Sequence, residues 1–535
     1  LLGVWIFLWC LHGDNDGLWF QGDAPRHAAN GFFWIDYLSD FTWDAKGYAL
    51  RYYARYPVID PTSRPPVFYL LEGVAFRLCG PSPYVAKGLV LCFSLLAALY
   101  LMAWLRRWVS AEAAYAAALF LLLPGVICWS HAIMLNIPAL AFGLAALFHT
   151  RRWLEAVEPR RGQLAAAAAL TLLGILTYYP TGVVVLVVAV WMAIKRDWSG
   201  WRNPLLWTVV GTCGLMLLPF AWLVAHWAPI PLGWVLPSAA NFGKLSTWLF
   251  YPSRILQIAN WQLGCLAGLG LVAGLAHRRW RQEAVLSASW ILVLYVVFSI
   301  LHAKDVRYAL PVMAPLLVLA TLGVTIGCEW LARLRFLRAS AGRRLTTVVL
   351  LALLAYQSYW ATVYRVVSIR GYPELVSYLG QVAPDEPVLY DGFYDGVFTF
   401  YLRAADHHFR RRVVLGSKLL YAYAMIPGWK QRDFVHSAEE VIDVLQQRGG
   451  CRWLAIEVSQ RDHDLLPMRY LRDAVNTPAF ELVKSFPIDG PLIKRVDVYR
   501  LTMPVAEVQE VDLPFPALGP DVTYRVRPIA MRKSP

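Results

Sequence analysis

Charge is scarce in this chain. Asp, Glu, Lys and Arg make up 16% of its 535 residues, against about 25% in soluble domains. With 58% hydrophobic residues and mean hydropathy +0.45, that shortage excludes an ordinary soluble protein and points to a polytopic membrane protein. Paired cysteines are missing as well. The eight (Cys10, Cys79, Cys92, Cys128, Cys213, Cys265, Cys328 and Cys451) sit mostly inside apolar stretches with no CxxC or Cys/His spacing, so neither a zinc site nor a disulfide framework is indicated. The net charge of +14 is not interleaved along one face; the arginines stand at the ends of apolar blocks, which excludes a nucleic-acid partner and reads as membrane topology. No Gly-rich phosphate loop or catalytic triad occurs in the C-terminal part, and no internal repeat of the kind many transporters carry divides the chain. The chain opens on Leu1, and 1–11 is about half the length a spanning helix needs, without the basic region and cleavage site of a signal peptide; the expectation is a first helix that has lost its start.

What is present is a series of apolar blocks, over 1–11, 83–105, 111–129, 133–149, 164–179, 182–194, 204–227, 259–276, 284–301, 308–332 and 345–365, or about eleven spans. The block over 164–194 is too long for one helix, and Tyr178-Tyr179-Pro180-Thr181-Gly182 breaks it. Arg160 and Arg161 before it and Lys195 and Arg196 after it return to one side only if it is a hairpin. The same logic folds 111–149 into a hairpin whose tip runs from Trp129 through His131, Met134 and Asn136 to Pro138. All strongly basic short loops then lie on the cytoplasmic side. The loop over 13–66, both hairpin tips, a Trp/Pro-rich loop over 228–258, the segment from His302 to Tyr308 and everything after Tyr364 face outward.

Polar groups beside lipid are costly, so the hydrophilic loop over 13–66 is a functional-site candidate. Asp23 followed by Pro25 reads as a helix start, and Phe32, Phe33, Ile35 and Leu38 among polar residues read as an interfacial helix. Asp36, Asp40 and Asp44 are expected on its wet face and exit, with Asp36 as a substitute base should Asp23 point away. Val67 to Leu78 is too short to span comfortably. From about residue 366 the composition is that of a small α/β domain, with strands at 387–390, 453–456 and 496–501 and a helix over 438–447. His407-His408-Phe409-Arg410-Arg411-Arg412 within it reads as a solvated charge run.

Five features in fixed order carry a family resemblance: Asp23 with Arg26-His27, Tyr53-Ala54-Arg55-Tyr56-Pro57, Arg64-Pro65-Pro66, Met134-Leu135-Asn136-Ile137-Pro138, and Lys304-Asp305-Val306-Arg307-Tyr308. In these the chain resembles the GT-C superfamily of membrane glycosyltransferases, specifically the branch of protein O-mannosyltransferases (glycosyltransferase family 39) and the aminoarabinose transferase of lipid A. The resemblance implies a polytopic α-helical GT-C domain over 1–365 and an extracytoplasmic α/β domain over 366–535. It also implies a multi-pass protein of a bacterial inner or plasma membrane and inverting transfer of a hexosyl or pentosyl group from a polyprenyl-phosphate-sugar donor. The acceptor would be a glycan, glycolipid or protein outside the cytoplasm, with membrane lipids as further partners.

Such a donor leaves as a phosphate, so the reaction needs a carboxylate to take the acceptor's proton and cations to hold the departing group. Asp23 is the expected base. Arg64, Lys304 and Arg307 are the expected phosphate clamps, and Arg26, His27, Arg55, Asn136, Tyr179 and Tyr308 complete the expected substrate-binding set. Two departures from the family stand out. Asn136 occupies a position where relatives often carry an acid, so no metal or other cofactor is predicted; Tyr178-Tyr179-Pro180 stands where relatives often carry Lys, leaving phenol hydroxyls as weaker phosphate partners. The alternative reading is a transporter or flippase of lipid-linked sugars, which needs the cations but no base.

Overall fold

The computed structural model describes residues 1–13, 23–59, 64–156, 161–195, 202–227, 242–334, 339–422, 431–459, 465–514 and 522–530. The chain divides into two compact units, one of Leu1–Gly13, Lys87–Ala221 and Trp234–Val366, the other of Asp14–Ala86, Trp222–Gly233 and Val367–Pro535.

The first unit is helical. Counting apolar blocks gives about eleven spans; among the described residues of the whole chain five helices are long and apolar enough to cross a membrane, namely Pro83–Trp108, Pro204–His226, Arg281–Ile300, Val306–Arg333 and Ala341–Val363. A sixth arises if Glu112–Leu121 and Pro124–His131, bent by 51° at their junction, count as one. The difference has a local cause. Leu2–His12, Arg161–Ile175, Tyr179–Lys195 and Trp261–Ala276 are apolar but short, and Pro124 and Pro180 break the blocks they sit in by removing a backbone donor.

Two contacts organise this unit. Arg151, buried at the end of helix Asn136–Leu154, donates from Nη1 to Glu283 at 2.8 Å and from Nε to Glu155 at 2.8 Å, with the Trp108 ring 4.1 Å from its guanidinium carbon. Helices Trp261–Ala276 and Met313–Leu334 touch backbone to backbone: a Cβ on Gly270 would lie 1.8 Å from the Leu319 carbonyl oxygen, and one on Gly323 2.5 Å from that of Leu266. Small residues permit that approach where apolar burial gives helices no preference for one another over lipid.

The second unit joins helices Asp23–Asp40 and Ala45–Arg55, from the loop expected to face outward, and helix Val67–Cys79 to a five-stranded sheet. The sheet order is β2 (Arg412–Leu415), β1 (Pro387–Asp391), β5 (Trp453–Ser459), β7 (Ile493–Leu501), β6 (Phe480–Pro487); β2, β1 and β5 are parallel, β7 and β6 antiparallel. Smaller pairs, β3 (Tyr421–Ala422) with β4 (Arg432–Asp433) and β8 (Val511–Pro514) with β9 (Thr523–Val526), flank it. Phe32 packs on Phe76 and Phe400 at ring-centroid distances of 5.1 and 5.6 Å, so helix Asp23–Asp40 is clamped between Val67–Cys79 and Asp395–Ala405.

That packing corrects the expected wet face. Asp36 is 4% exposed, accepts from Tyr52 at 2.7 Å and is ion-paired with the equally buried Arg403. The same unit corrects the charge run: Arg410 is exposed, but Arg412 opens strand β2 and is buried.

Candidate functional site

Helix Asp23–Asp40 places Asp23 and His27 one turn apart at its start, with Pro25 in the first turn where its missing N–H costs nothing. Arg64 reaches both from the Arg64-Pro65-Pro66 turn. Its Nη2 donates to Asp23 Oδ1 at 3.1 Å and its Nη1 to His27 Nε2 at 2.8 Å. A guanidinium only donates, so the imidazole nitrogen facing it accepts. His27 Nδ1 lies 3.2 Å from the same Arg64 Nη1 and 2.6 Å from the buried Tyr69 hydroxyl, whose ionisation burial pushes well above the ordinary tyrosine range. Carboxylate, guanidinium, imidazole and phenol thus form one hydrogen-bonded row. Asp23 stands at the open end, its side chain 40% exposed.

Beneath the row lies Glu72, fully buried, with its carboxyl pushed well above its usual range by desolvation. It packs on Gly31, where a Cβ would sit 2.8 Å from Glu72 Oε2. Sequence reading missed Tyr69 and Glu72; the available signal was a lone acid three residues from a tyrosine inside the apolar stretch Val67–Cys79.

Arg26 and Arg55 are brought close in the same unit but are engaged elsewhere. Arg26 pairs with Asp395 at 2.9 Å, and that carboxylate raises its pKa. Arg55 is buried and donates to the Phe409 carbonyl, with desolvation lowering its pKa.

The remaining expected residues belong to the first unit. Asn136 and Tyr308 line a small cleft together with Tyr178, Pro180, Phe298 and Pro311. Tyr178 hydrogen-bonds Tyr308; Tyr179, the expected substrate-binding tyrosine, is not among the lining residues, and its ring centre lies 5.7 Å from that of Tyr178. Arg307 is held by Asp305, 3.3 Å from its Nε, while Asp305 also accepts from the Arg307 backbone N–H at 3.0 Å and caps the turn Val306–Val312. Arg307 Nη1 lies 3.9 Å from the Met134 sulfur, which joins the Lys304-to-Tyr308 segment to the Met134–Asn136 tip. Lys304 donates to the Leu301 carbonyl at 2.9 Å, and partial burial lowers its pKa. Among the described residues no three His, Cys, Asp or Glu side chains gather around a common point that could hold a metal.

Two groups therefore emerge: an acid, a cation and an imidazole at the start of helix Asp23–Asp40, and a tyrosine-lined cleft with a braced cation beside it. The first can exchange a proton and hold an anion. The second offers hydroxyl, amide and cationic donors.

Residues 63–223, a stretch that includes Arg64 and Asn136, match the family model described as dolichyl-phosphate-mannose-protein mannosyltransferase. No curated protein matches the chain in sequence. Among solved structures, ArnT from Cupriavidus metallidurans bound to undecaprenyl phosphate is similar with TM-score 0.63 at 17% identity, over 95% of this chain and 98% of that one. The archaeal oligosaccharyltransferase AglB from Archaeoglobus fulgidus, in complex with an inhibitory peptide and a dolichol-phosphate, is similar with TM-score 0.56 at 10% identity, over 85% of this chain and 68% of that one. The arabinofuranosyltransferase AftD from Mycobacteria gives 0.53 at 13%, over 95% of this chain and 40% of that one.

Proposed function

We propose, from the premise that this chain has the GT-C fold of membrane glycosyltransferases, that it transfers a sugar from a polyprenyl-phosphate-linked donor to an acceptor outside the cytoplasm, with inversion. The observation that carries the reading is the Asp23–Arg64 pair, an accessible carboxylate touching a guanidinium that is itself fixed by His27. The two solved structures that hold undecaprenyl phosphate and dolichol-phosphate support the donor class.

In this reading Asp23 takes the proton from the acceptor hydroxyl as its oxygen attacks the sugar's anomeric carbon, and the bond to the donor phosphate breaks on the opposite face. The phosphate leaves with the bonding pair, and Arg64 holds it through charge-assisted hydrogen bonds. His27 and Tyr69 keep the guanidinium in place between turnovers. Arg307 and Lys304 serve as further anion donors, and Asn136 and Tyr308 as hydrogen-bond partners for sugar hydroxyls. Arg26 and Arg55, engaged with Asp395 and the Phe409 carbonyl, brace the outer-loop helices.

Purified full-length protein supplied with a panel of polyprenyl-phosphate sugars is expected to transfer at least one. Asp23→Asn should lower the rate by about two to four orders of magnitude, the usual worth of a general base, while donor binding persists. Transfer by Asp23→Asn at the parental rate contradicts the assignment, and donor movement across vesicles without transfer favours a transporter.

A further inference from the structure

In the second unit a groove lies between Ala54 and Pro57, strand β2, the short helix Gly416–Leu419 and strands β8 and β9. Its charged lining is Arg412, Lys418, Arg448 and Arg525 against Glu510 and Asp512. Arg525 is neutralised by Glu510 at 3.2 Å. Among the described residues no carboxylate pairs with Lys418 or Arg448; Lys418 lies 6.0 Å from the centre of the Tyr53 ring.

Arg412 is the unusual member. It is 6% exposed, and its guanidinium donates to the carbonyls of Gly449 and, at 3.3 Å, of Val508 and to the buried Cys451 sulfur; among the described residues no carboxylate pairs with it, and its Nε meets no acceptor. Desolvation lowers its pKa. The buried Arg55, whose Nε also lacks an acceptor, is near enough for the two charges to repel. Asp406, the carboxylate that attracts Arg55, is occupied by the Tyr56 hydroxyl at 2.8 Å and by the backbone N–H groups of Arg410 and Arg411. Carbonyl dipoles solvate a buried guanidinium but do not cancel its charge, and a buried cation without a counter-ion is costly. An anion entering the groove supplies what is missing.

We propose that this groove is the acceptor subsite and that it takes an anionic group, a phosphate or carboxylate, borne by the acceptor glycan or glycolipid. The inference rests on the glycosyltransferase reading and gives its acceptor a chemical class. Four cations outnumber two acids around the groove, a buried guanidinium faces it, and Gln447 and Asp512 on the lining match sugar hydroxyls. Ala54 and Pro57 on its lining belong to the stretch whose sequence continues to Arg64, the proposed phosphate clamp.

The test uses full-length protein in detergent micelles, with inorganic pyrophosphate as the probe in isothermal titration. In an Arg64→Gln parent, which lacks the proposed donor-phosphate clamp, the double variant Lys418→Glu/Arg448→Glu, altered at the groove rim and away from the sheet core, is expected to bind pyrophosphate at least about tenfold more weakly than that parent, from the loss of two charge-assisted contacts. In transfer assays with Arg64 intact the double variant should raise KM for a phosphorylated acceptor about tenfold, leave kcat unchanged, and leave an uncharged acceptor unaffected. Equal pyrophosphate affinity in parent and double variant overturns the proposal, as does an equal loss on charged and uncharged acceptors. Activity on an uncharged acceptor that rises with anionic lipid in nanodiscs, and loses that rise in the double variant, overturns it in favour of a lipid surface. Pyrophosphate binding needs no turnover, so it stands or falls independently of Asp23.

Discussion

Asp23 and Asp36 lie on one helix and serve opposite ends. Asp23 is partly open and paired with Arg64; Asp36 is sealed between Tyr52 and Arg403. Breaking a buried ion pair by removing one partner strands the other, so Asp36→Ala should destabilise the second unit by about 3–5 kcal/mol, read as lost hydrogen-exchange protection in helix Asp395–Ala405; protection unchanged from the parent contradicts the structural assignment. Glu457 makes a pH prediction. It accepts from Tyr372 and Tyr390 and from the backbone N–H groups of Phe393 and Tyr394, and burial still pushes its pKa from 4.5 up to about 7. Between those values the folded state holds a proton that the unfolded chain has released. Its contribution is therefore fully present below about pH 4.5 and fades as pH rises through 7. Buried Asp391, raised from 3.8 to about 6, acts in the same direction. Exchange protection of β1 and β5, corrected for intrinsic rates, should fall from pH 5 to pH 8, and Glu457→Gln should flatten that fall. That Asp23, Arg64 and His27 come together was legible in the sequence, because acid, base and proline cluster within one polar loop. The role of Asp36 was not, because its partner Arg403 lies 367 residues away, and no local pattern announces such a pairing.

At the scale of elements, breaks were easier to read than lengths. The break in the block over 164–194 follows from Pro180, and the structure has a short turn there, Tyr179–Gly182, between helices Arg161–Ile175 and Val183–Lys195. The span count was not legible from apolar blocks, because an apolar run does not fix how many of its residues stay in one helix. Strands β1, β5 and β7 were legible from apolar runs bounded by turn residues. Strand β2 was hidden by the arginines at its start, and β6 by exposure on both faces, since only Phe480 and Phe486 among its residues are buried. The Gly270–Gly323 contact yields a prediction here. Gly270→Leu must force its helix off the Leu319 carbonyl, and overpacking of this kind costs about 1–3 kcal/mol; a lowered thermal transition in detergent is expected, whereas Gly268→Leu, with nothing near its Cβ, should leave the transition in place. Equal transitions in the two variants contradict the close approach.

For the whole molecule, the fold is that of the solved GT-C structures, and the likeness extends through both units. Helices Asp23–Asp40, Ala45–Arg55 and Val67–Cys79 and the α/β sheet form one compact unit in which the proposed base, its guanidinium partner and the cationic groove all reside. Sequence order alone pointed to the fold and to a lipid-phosphate donor. It could not show the groove, because Ala54, Arg412, Arg448 and Arg525 come together only after distant segments fold against one another. The most direct measurement is an experimental structure of the full-length protein with polyprenyl phosphate bound. The account predicts phosphate oxygens accepting from the Arg64 guanidinium, with the Asp23 carboxylate facing the space the sugar vacates. A phosphate bound away from Arg64, with the Asp23–Arg64 pair closed and undisturbed, contradicts it.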